Sequence, residues 1–380
     1  MRFLLFLFLA ASTFLVGCSD NNVEFNGTVA GANYGKVMIS NADKEIIYQA
    51  DLESGKFIIK KRPLTTPGYY QLVFLISGKA SNKNEIYLEP GSSYTIDVDA
   101  KDINAYPHIV STSKKQTELS AYHDLLTAAK KASRAKVMEF DSQMRKLDDE
   151  VLTFEERDTR LQQLRNKQLD ANVVDMVTVF SAFIKQHLDS EIAPHLMLTT
   201  EYQLNPVGYY EAFKNLSDDV KKTDEGALLE EKLKQLTRLA AGGEAPAIEG
   251  TTPDGKAIDL KVLNKKVIII DFWRALNSQS LRDHEEMVKD MLPKYKDKGL
   301  EVVSVSFDDK RDKWLGYIAK SGMSWPQLSD LKGDASPNAE NWAITKIPTY
   351  YILDGKGRII KRCLDYYELE VAIIDYMAKK

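Results

Sequence analysis

The segment VIIIDFWRALNSQSLRDHEEM, residues 267–287, constrains the fold more than any other part of this chain. Its first part, Val267 to Phe272, is an almost wholly apolar run, which is typical of a strand buried in a sheet. A helical pattern follows from Asn277 to about Tyr295, and asparagine is a favoured residue at a helix start. A buried strand leading into a helix predicts an α/β domain with a covered sheet.

The elements around this segment predict the rest of that domain. A linker of small residues at 241–250 marks its start, and a tight turn at residues 253–255 is predicted to join two short strands. Further elements are a strand at Leu300–Phe307, a helix at Arg311–Ser321, a hairpin with its turn at residues 354–357, and a last helix from Glu368. This order predicts a sheet with parallel and antiparallel pairing that is covered on both faces.

Four ordered segments carry a resemblance to a known family. They are GEAPAIEGTTPDGKAIDL, VIIIDFW, KYKDKGLEVVSVSFDD and ITKIPTYYILDGKGRII. With them, residues 241–380 resemble the redoxin and thiol-disulfide interchange branch of the thioredoxin superfamily, of the alkyl hydroperoxide reductase and thiol-specific antioxidant type. The resemblance implies a thioredoxin-like fold. It also implies a Cys-x-x-Cys motif at the helix start, whose four positions fall here on Asn277, Ser278, Gln279 and Ser280.

The residues at these four positions exclude the chemistry of the family. Dithiol exchange needs one thiolate to attack and a second thiol to resolve the mixed disulfide, and neither Asn277 nor Ser280 supplies one. Peroxide reduction needs a cysteine of low pKa near the same turn. The chain has two cysteines, Cys18 and Cys363. Cys363 lies in a predicted strand, where a lone cysteine is typically a small buried hydrophobe. The sequence therefore predicts no catalytic residue, no metal and no cofactor.

Other positions of the family site are kept, and the resemblance implies roles for them. Asp271 matches a buried acid below the second cysteine, and we expect it to hydrogen-bond Ser280 or a water because an unpartnered buried carboxylate is costly. Pro348 matches the cis-proline that faces the motif, and in the family the backbone beside it pairs with a bound peptide strand. The binding candidates are Asp271, Trp273, Arg274, Ile347 and Pro348.

Anion binding and serine catalysis are two alternatives to simple helix capping at the start of this helix. Free N–H groups there, with Arg274 and Arg282, are suited to an anion. Ser280 and His284 offer a hydroxyl and a base one turn apart, although the sequence reveals no orienting acid or oxyanion hole. Capping alone explains the residue types at the helix start.

The N-terminus has the layout of an export signal, with an apolar run from Phe3 to Val16 and small residues before Cys18. The end of this run, Leu-Val-Gly-Cys at residues 15–18, resembles the lipobox of bacterial lipoproteins. The resemblance implies a signal peptide at 1–17 and an acylated Cys18 that anchors the protein. We therefore expect a membrane anchor in the envelope of a Gram-negative-type bacterium, at the outer membrane.

The remaining residues divide by pattern into three regions. Residues 18–23 are predicted to be a flexible tether, and the flexible start is expected to run on through the segment NNVEF. Residues 24–110 show short alternating runs between turn residues, which predict an antiparallel all-β sandwich or barrel and resemble the β-rich domain of unknown function that precedes thioredoxin-like domains in envelope lipoproteins. Residues 111–240 have helical periodicity, with one apolar pattern ending at Val151.

Charge and histidine spacing exclude two classes of partner. A net charge of −4 offers no basic face for nucleic acid. His187 and His195 are eight residues apart with Pro194 between them, which is not the spacing of a metal-ligand pair. Three functions remain: a redox-inactive domain that binds an extended peptide or an envelope protein beside Pro348, a thiol-disulfide oxidoreductase acting in trans through Cys363, and a structural spacer.

Overall fold

The structure is a computed structural model and describes residues 21–148 and 150–378. The predicted signal peptide, Cys18 and the first residues of the predicted tether lie outside the described residues. The chain separates into two compact units on either side of the bond between Ala193 and Pro194. The predicted boundaries at residues 110 and 240 stay predictions.

The first unit begins with two β-sheets that share one hydrophobic core. Their strand orders are β4-β1-β8-β9 and β3-β2-β5-β6, with β7 also paired to β5. Side chains along the strands alternate between buried and less buried, as in β5 and β8. Phe57 and Phe74 meet in the shared core with ring centroids 6.3 Å apart. The strands are β1 Asn22–Ala30, β2 Gly35–Ser40, β3 Ile46–Asp51, β4 Lys56–Pro63, β5 Gly68–Ile76, β6 Lys79–Ala80, β7 Asn84–Leu88, β8 Ser93–Asp99 and β9 His108–Ser111.

Strand β1 corrects two predictions about the start of the chain. The expected flexible start reached past Val23, yet Val23 and Phe25 are each only 1% exposed. The module was predicted to be antiparallel, whereas β1 runs parallel to β8 and antiparallel to β4. Its partner β8 lies about seventy residues further along the chain, so local patterning gave no sign of this pairing.

Helices complete the first unit: α1 Lys114–Lys146, α2 Phe154–Asn172 and α3 Met176–Gln186. Ser113 caps α1 by accepting a hydrogen bond from the Gln116 N–H. The Gln116 side chain accepts one from the Tyr87 N–H at 2.8 Å, which ties α1 to β7. The helical pattern was expected to continue to Val151, but α1 ends at Lys146 and Val151 is fully exposed in the turn before α2.

The second unit begins with short helices. None of the helices within 21–148 and 150–378 is long and apolar enough to span a bilayer. Pro206 stands in the first turn of α5, where its missing N–H removes no helical hydrogen bond. The helices are α4 Ala193–Leu198, α5 Pro206–Lys214, α6 Asp218–Lys221 and α7 Asp224–Arg238.

The C-terminal sheet has the strand order β12-β11-β10-β13-β14, with β10 in the centre. Strand β10 is parallel to β11 and antiparallel to β13, as predicted. The turn at residues 253–255 forms, but no hairpin flanks it because Thr251 bridges instead to Ser329. The strands are β10 Val267–Trp273, β11 Leu300–Ser306, β12 Gln327–Ser329, β13 Thr349–Asp354 and β14 Ile359–Cys363.

The helices of this region lie between those strands in the chain. The predicted helix from Asn277 to Tyr295 is formed by α8 and α9 with a π-helical segment at Met287–Met291 between them. The helices are α8 Ser278–Glu286, α9 Leu292–Tyr295, α10 Arg311–Ser321, α11 Pro337–Asn341 and α12 Tyr366–Ala378.

Candidate functional site

The turn between β10 and α8 is held against the end of the neighbouring strand. The Ala275 N–H donates to both carboxylate oxygens of Asp308, at 3.0 and 3.2 Å. Arg274 donates from Nε to the Phe307 carbonyl at 3.1 Å and pairs with Asp334 at 2.5 Å. The sequence did not single out Asp308, although an acid directly after a parallel strand commonly lies at the edge where loops meet.

The anion hypothesis at the helix start loses support, because several of its donors have protein partners. Arg274 is paired as described above, and Arg282 donates to the Gln279 side-chain oxygen at 2.5 Å. The Ser280 N–H donates to the Asn277 side chain at 2.9 Å. Capping and local pairs account for these groups.

Asn277 connects the start of α8 to the loop before β13. Its Oδ1 caps the helix, and its Nδ2 donates to the Ile347 carbonyl at 3.1 Å. The peptide bond between Ile347 and Pro348 is cis. The structure thus brings Asn277, the first of the four positions that the family resemblance singled out, together with the proline loop.

Asp271 is fully buried, and its partners differ from those predicted. Its Oδ2 lies 2.8 Å from His284 Nε2 and accepts a hydrogen bond from Ser304 Oγ at 2.6 Å. Ser304 is its direct neighbour on β11, and the Trp325 indole N–H donates to the same hydroxyl at 2.8 Å. Asp271 forms no hydrogen bond with Ser280, and its second oxygen, Oδ1, has no hydrogen-bond partner among the described residues, so the expected bond to a water stays a prediction. Among the described residues, Ser280 Oγ has no hydrogen-bond partner.

Serine catalysis does not follow from these residues. Asp271 supplies the orienting acid that the sequence could not reveal. Ser280 and His284, however, are 0% and 1% exposed and form no hydrogen bond with each other among the described contacts. A nucleophile needs contact with its base and access for a substrate, and both are lacking.

A second buried carboxylate, Asp283, lies beside this network. It accepts hydrogen bonds from the Tyr350 hydroxyl at 2.6 Å and from Gln279 Nε2 at 2.7 Å. Desolvation raises the pKa of Asp283, while its two hydrogen bonds act in the opposite direction. Desolvation also raises the pKa of Tyr350, assisted by the negative charges of Asp271 and Asp283. The only sequence signal for Asp283 was its position four residues after Gln279 on one helix face.

The predicted binding candidates divide into buried and accessible residues. Asp271 and Trp273 are 0% exposed and cannot touch a ligand, and the Trp273 ring packs on His284 at 4.9 Å. Pro348 is buried, while Arg274 and Ile347 are half-buried. Leu276, which no sequence pattern indicated, is 74% exposed and precedes Asn277 in the chain. A single exposed leucine is ordinary in a folded protein, so the interest of Leu276 lies in its place in the chain next to Asn277, which contacts the proline loop.

Cys363 is buried on β14 opposite Tyr350, as expected of a small hydrophobic residue. Burial raises the pKa of its thiol to about 12. At neutral pH the thiol therefore carries almost no thiolate, which is the form that attacks disulfides.

His187 and His195, whose spacing excluded a metal-ligand pair, have ordinary partners. The His187 ring packs on Phe183 at 4.9 Å, and His195 lies 2.8 Å from a Glu225 carboxylate oxygen. Within 21–148 and 150–378, no group of three or more His, Cys, Asp or Glu residues is arranged to hold a metal ion.

Comparison with known proteins finds relatives of the C-terminal region. Residues 241–362 match the family model of the AhpC/TSA family. The C-terminal domain is thioredoxin-like. Thiol-disulfide oxidoreductase ResA of Bacillus thuringiensis (strain Al Hakam) is 25% identical over 127 residues, which are 33% of this chain and 71% of that protein. Thiol:disulfide interchange protein HelX of Rhodobacter capsulatus is 25% identical over 124 residues, 32% of this chain and 66% of HelX.

Solved structures are similar over the same part of the chain. The thioredoxin domain of a thiol-disulfide oxidoreductase from Bacteroides vulgatus is 27% identical, covers 37% of this chain and 99% of that domain, and has a TM-score of 0.34. The relatives of the thioredoxin-like domain are thus named for thiol chemistry, whereas this domain has Cys363 as its one cysteine.

Proposed function

We propose that this protein is a lipid-anchored envelope protein whose thioredoxin-like domain binds an extended peptide or a partner protein beside Pro348 and catalyses no thiol-disulfide exchange. The observation that carries the proposal is the contact between Asn277 and Ile347. It holds the helix start against the proline loop although neither residue can do redox chemistry. Strand addition needs only backbone hydrogen bonds and side-chain pockets.

The surroundings of this contact support a binding surface. Asp308 and Arg274 fix the turn from one side, and the buried pair of Asp271 and His284 supports the helix from below. Leu276 is 74% exposed in this fixed turn, and Ile347 is half-buried at its contact with Asn277. A rigid rim with an exposed apolar side chain loses little entropy when a peptide docks.

A peptide titration tests the binding role. The probe is a capped peptide of alternating valine and threonine flanked by lysines, and the full-length protein is followed by amide chemical shifts. We expect shifts centred on Leu276 and Ile347, and about tenfold weaker binding in Leu276→Ser, because a buried leucine contributes on the order of 1.5 kcal/mol. Val262→Ser is the matched control, since Val262 is 77% exposed and precedes the opposite end of β10. Equal losses in both variants, or no binding, would contradict the proposal.

The names of the relatives favour a second candidate, an oxidoreductase acting through Cys363. The burial of Cys363 and its raised pKa oppose this candidate. We expect no reduction of insulin with dithiothreitol above background, no consumption of hydrogen peroxide, and alkylation of Cys363 at pH 8 only after unfolding. Turnover that disappears in Cys363→Ala would instead establish the oxidoreductase.

The lipid anchor rests on the lipobox-like residues 15–18. In Cys18→Ser we expect either an unprocessed precursor or release from the membrane fraction, because acylation requires the cysteine thiol. Separation of inner and outer membranes then tests the expected location. Normal processing and membrane retention of the variant would contradict lipidation.

A further inference from the structure

The orientation of the Asn277 amide is fixed by its two contacts. Its oxygen must face the Ser280 N–H, which is a donor, and its nitrogen must face the Ile347 carbonyl, which is an acceptor. Exchanging the two atoms would place donor against donor and acceptor against acceptor. The amide therefore serves the helix cap and the proline loop at the same time.

The two polar groups of the Ile347 backbone differ in their hydrogen bonding. Its carbonyl accepts from Asn277, while its N–H has no hydrogen-bond partner among residues 21–148 and 150–378. Pro348 has no N–H to offer. An extended chain laid along this loop thus finds an open donor at Ile347 but an acceptor that is already in use.

We infer that Asn277 is a specificity-determining residue that gates this edge. While its amide donates to the Ile347 carbonyl, a docking chain forms its hydrogen bond mainly with the Ile347 N–H. The chain must therefore present a backbone carbonyl at that point. A carbonyl oxygen has two lone pairs, so a second bond is not forbidden, but it must compete with or share the position of the Asn277 amide. This inference rests on the proposed function, because it specifies how the same groove selects its ligand.

Asn277→Ser separates gating from capping. Serine is as good an N-cap as asparagine, yet its side chain is too short to hold the Ile347 carbonyl as well. The variant should keep α8 intact and free the carbonyl. We expect the valine-threonine probe to bind about three- to tenfold more tightly, which is the usual net contribution of one hydrogen bond. Ser278→Ala, at the exposed next position, is the matched control and should bind like the wild type.

A probe peptide with one N-methylated peptide bond provides a second test of this inference. Removing the peptide N–H that would reach the Ile347 carbonyl should leave wild-type binding nearly unchanged but cancel the gain of Asn277→Ser. In the free protein, the Asn277 side-chain amide protons should exchange with solvent more slowly than those of Asn341, which is exposed.

The outcomes distinguish the two proposals. If the probe binds but Asn277→Ser binds it equally or more weakly, the gate is wrong and the binding groove stands. If the N-methylated peptide loses affinity for the wild type as much as for the variant, the gate is likewise wrong. Rapid exchange of the Asn277 amide overturns the gate without reference to any ligand. If no variant binds the probe, the proposed function fails and the gating role fails with it.

Discussion

Two aspartates stand in the middle of strands in this molecule, and their surroundings differ. Asp97 on β8 lies on the open face of its sheet and accepts a hydrogen bond from Thr28 at 2.6 Å near solvent. Asp271 on β10 is 0% exposed and depends on His284 and Ser304. The difference follows from the strands, because β8 alternates in burial while all seven residues of β10 are buried. Water can replace a lost partner of Asp97 but has no free path to Asp271.

Removing the main partner of each aspartate should give the largest contrast. We expect His284→Leu to lower the free energy of unfolding by about 3–5 kcal/mol, because it leaves a buried carboxylate without its counter-group. Thr28→Val, the matched change at Asp97, should cost less than about 1 kcal/mol. Chemical denaturation of the full-length protein measures both.

The double variant Asp271→Val with His284→Leu checks the cause of that loss. Replacing both members of a buried pair by apolar residues is often close to neutral, so most of the stability should return. A double variant as unstable as His284→Leu would show that packing of the imidazole, rather than the unpaired charge, sets the effect.

Apolar residues provide a second test of the difference between β10, which is buried on both faces, and strands with one exposed face. Ile270→Ala on β10 should cost about 2–5 kcal/mol through lost contacts and a cavity. Ile58→Ala on β4 should change stability by less than about 0.5 kcal/mol, because Ile58 is 67% exposed. Similar losses in the two variants, again measured by denaturation, would contradict the burial difference between the strands.

The smallest effect is expected where a buried hydroxyl lacks a partner. Ser280 Oγ is buried and unpaired among the described residues, so Ser280→Ala should stabilise the protein by up to about 1 kcal/mol. Ser278→Ala, on the exposed side of the same helix start, should stay near zero. A clear destabilisation by Ser280→Ala would reveal a partner for the hydroxyl, such as an internal water.

The elements of the C-terminal region and the limits of its chemistry could be predicted from residue types and their order. Continuous apolarity predicted β10, and the residue types at its end predicted the cap of α8, because burial and capping are local properties. The missing cysteines and the burial of Cys363 were likewise evident from residue type and position. Strand β1 was missed, because its partners are distant in the chain.

Which polar groups meet depends on how the elements pack against one another. Asp271 was expected to bond Ser280 or a water, yet His284 lies on the next turn of α8 and reaches the carboxylate at 2.8 Å. Asn277 looked like a simple cap until the loop before β13, seventy residues later, brought the Ile347 carbonyl to its amide. Each pairing requires the two elements to be placed so that donor and acceptor lie within a few tenths of an ångström of the hydrogen-bond distance. Residue periodicity describes the face of one element and cannot set those distances.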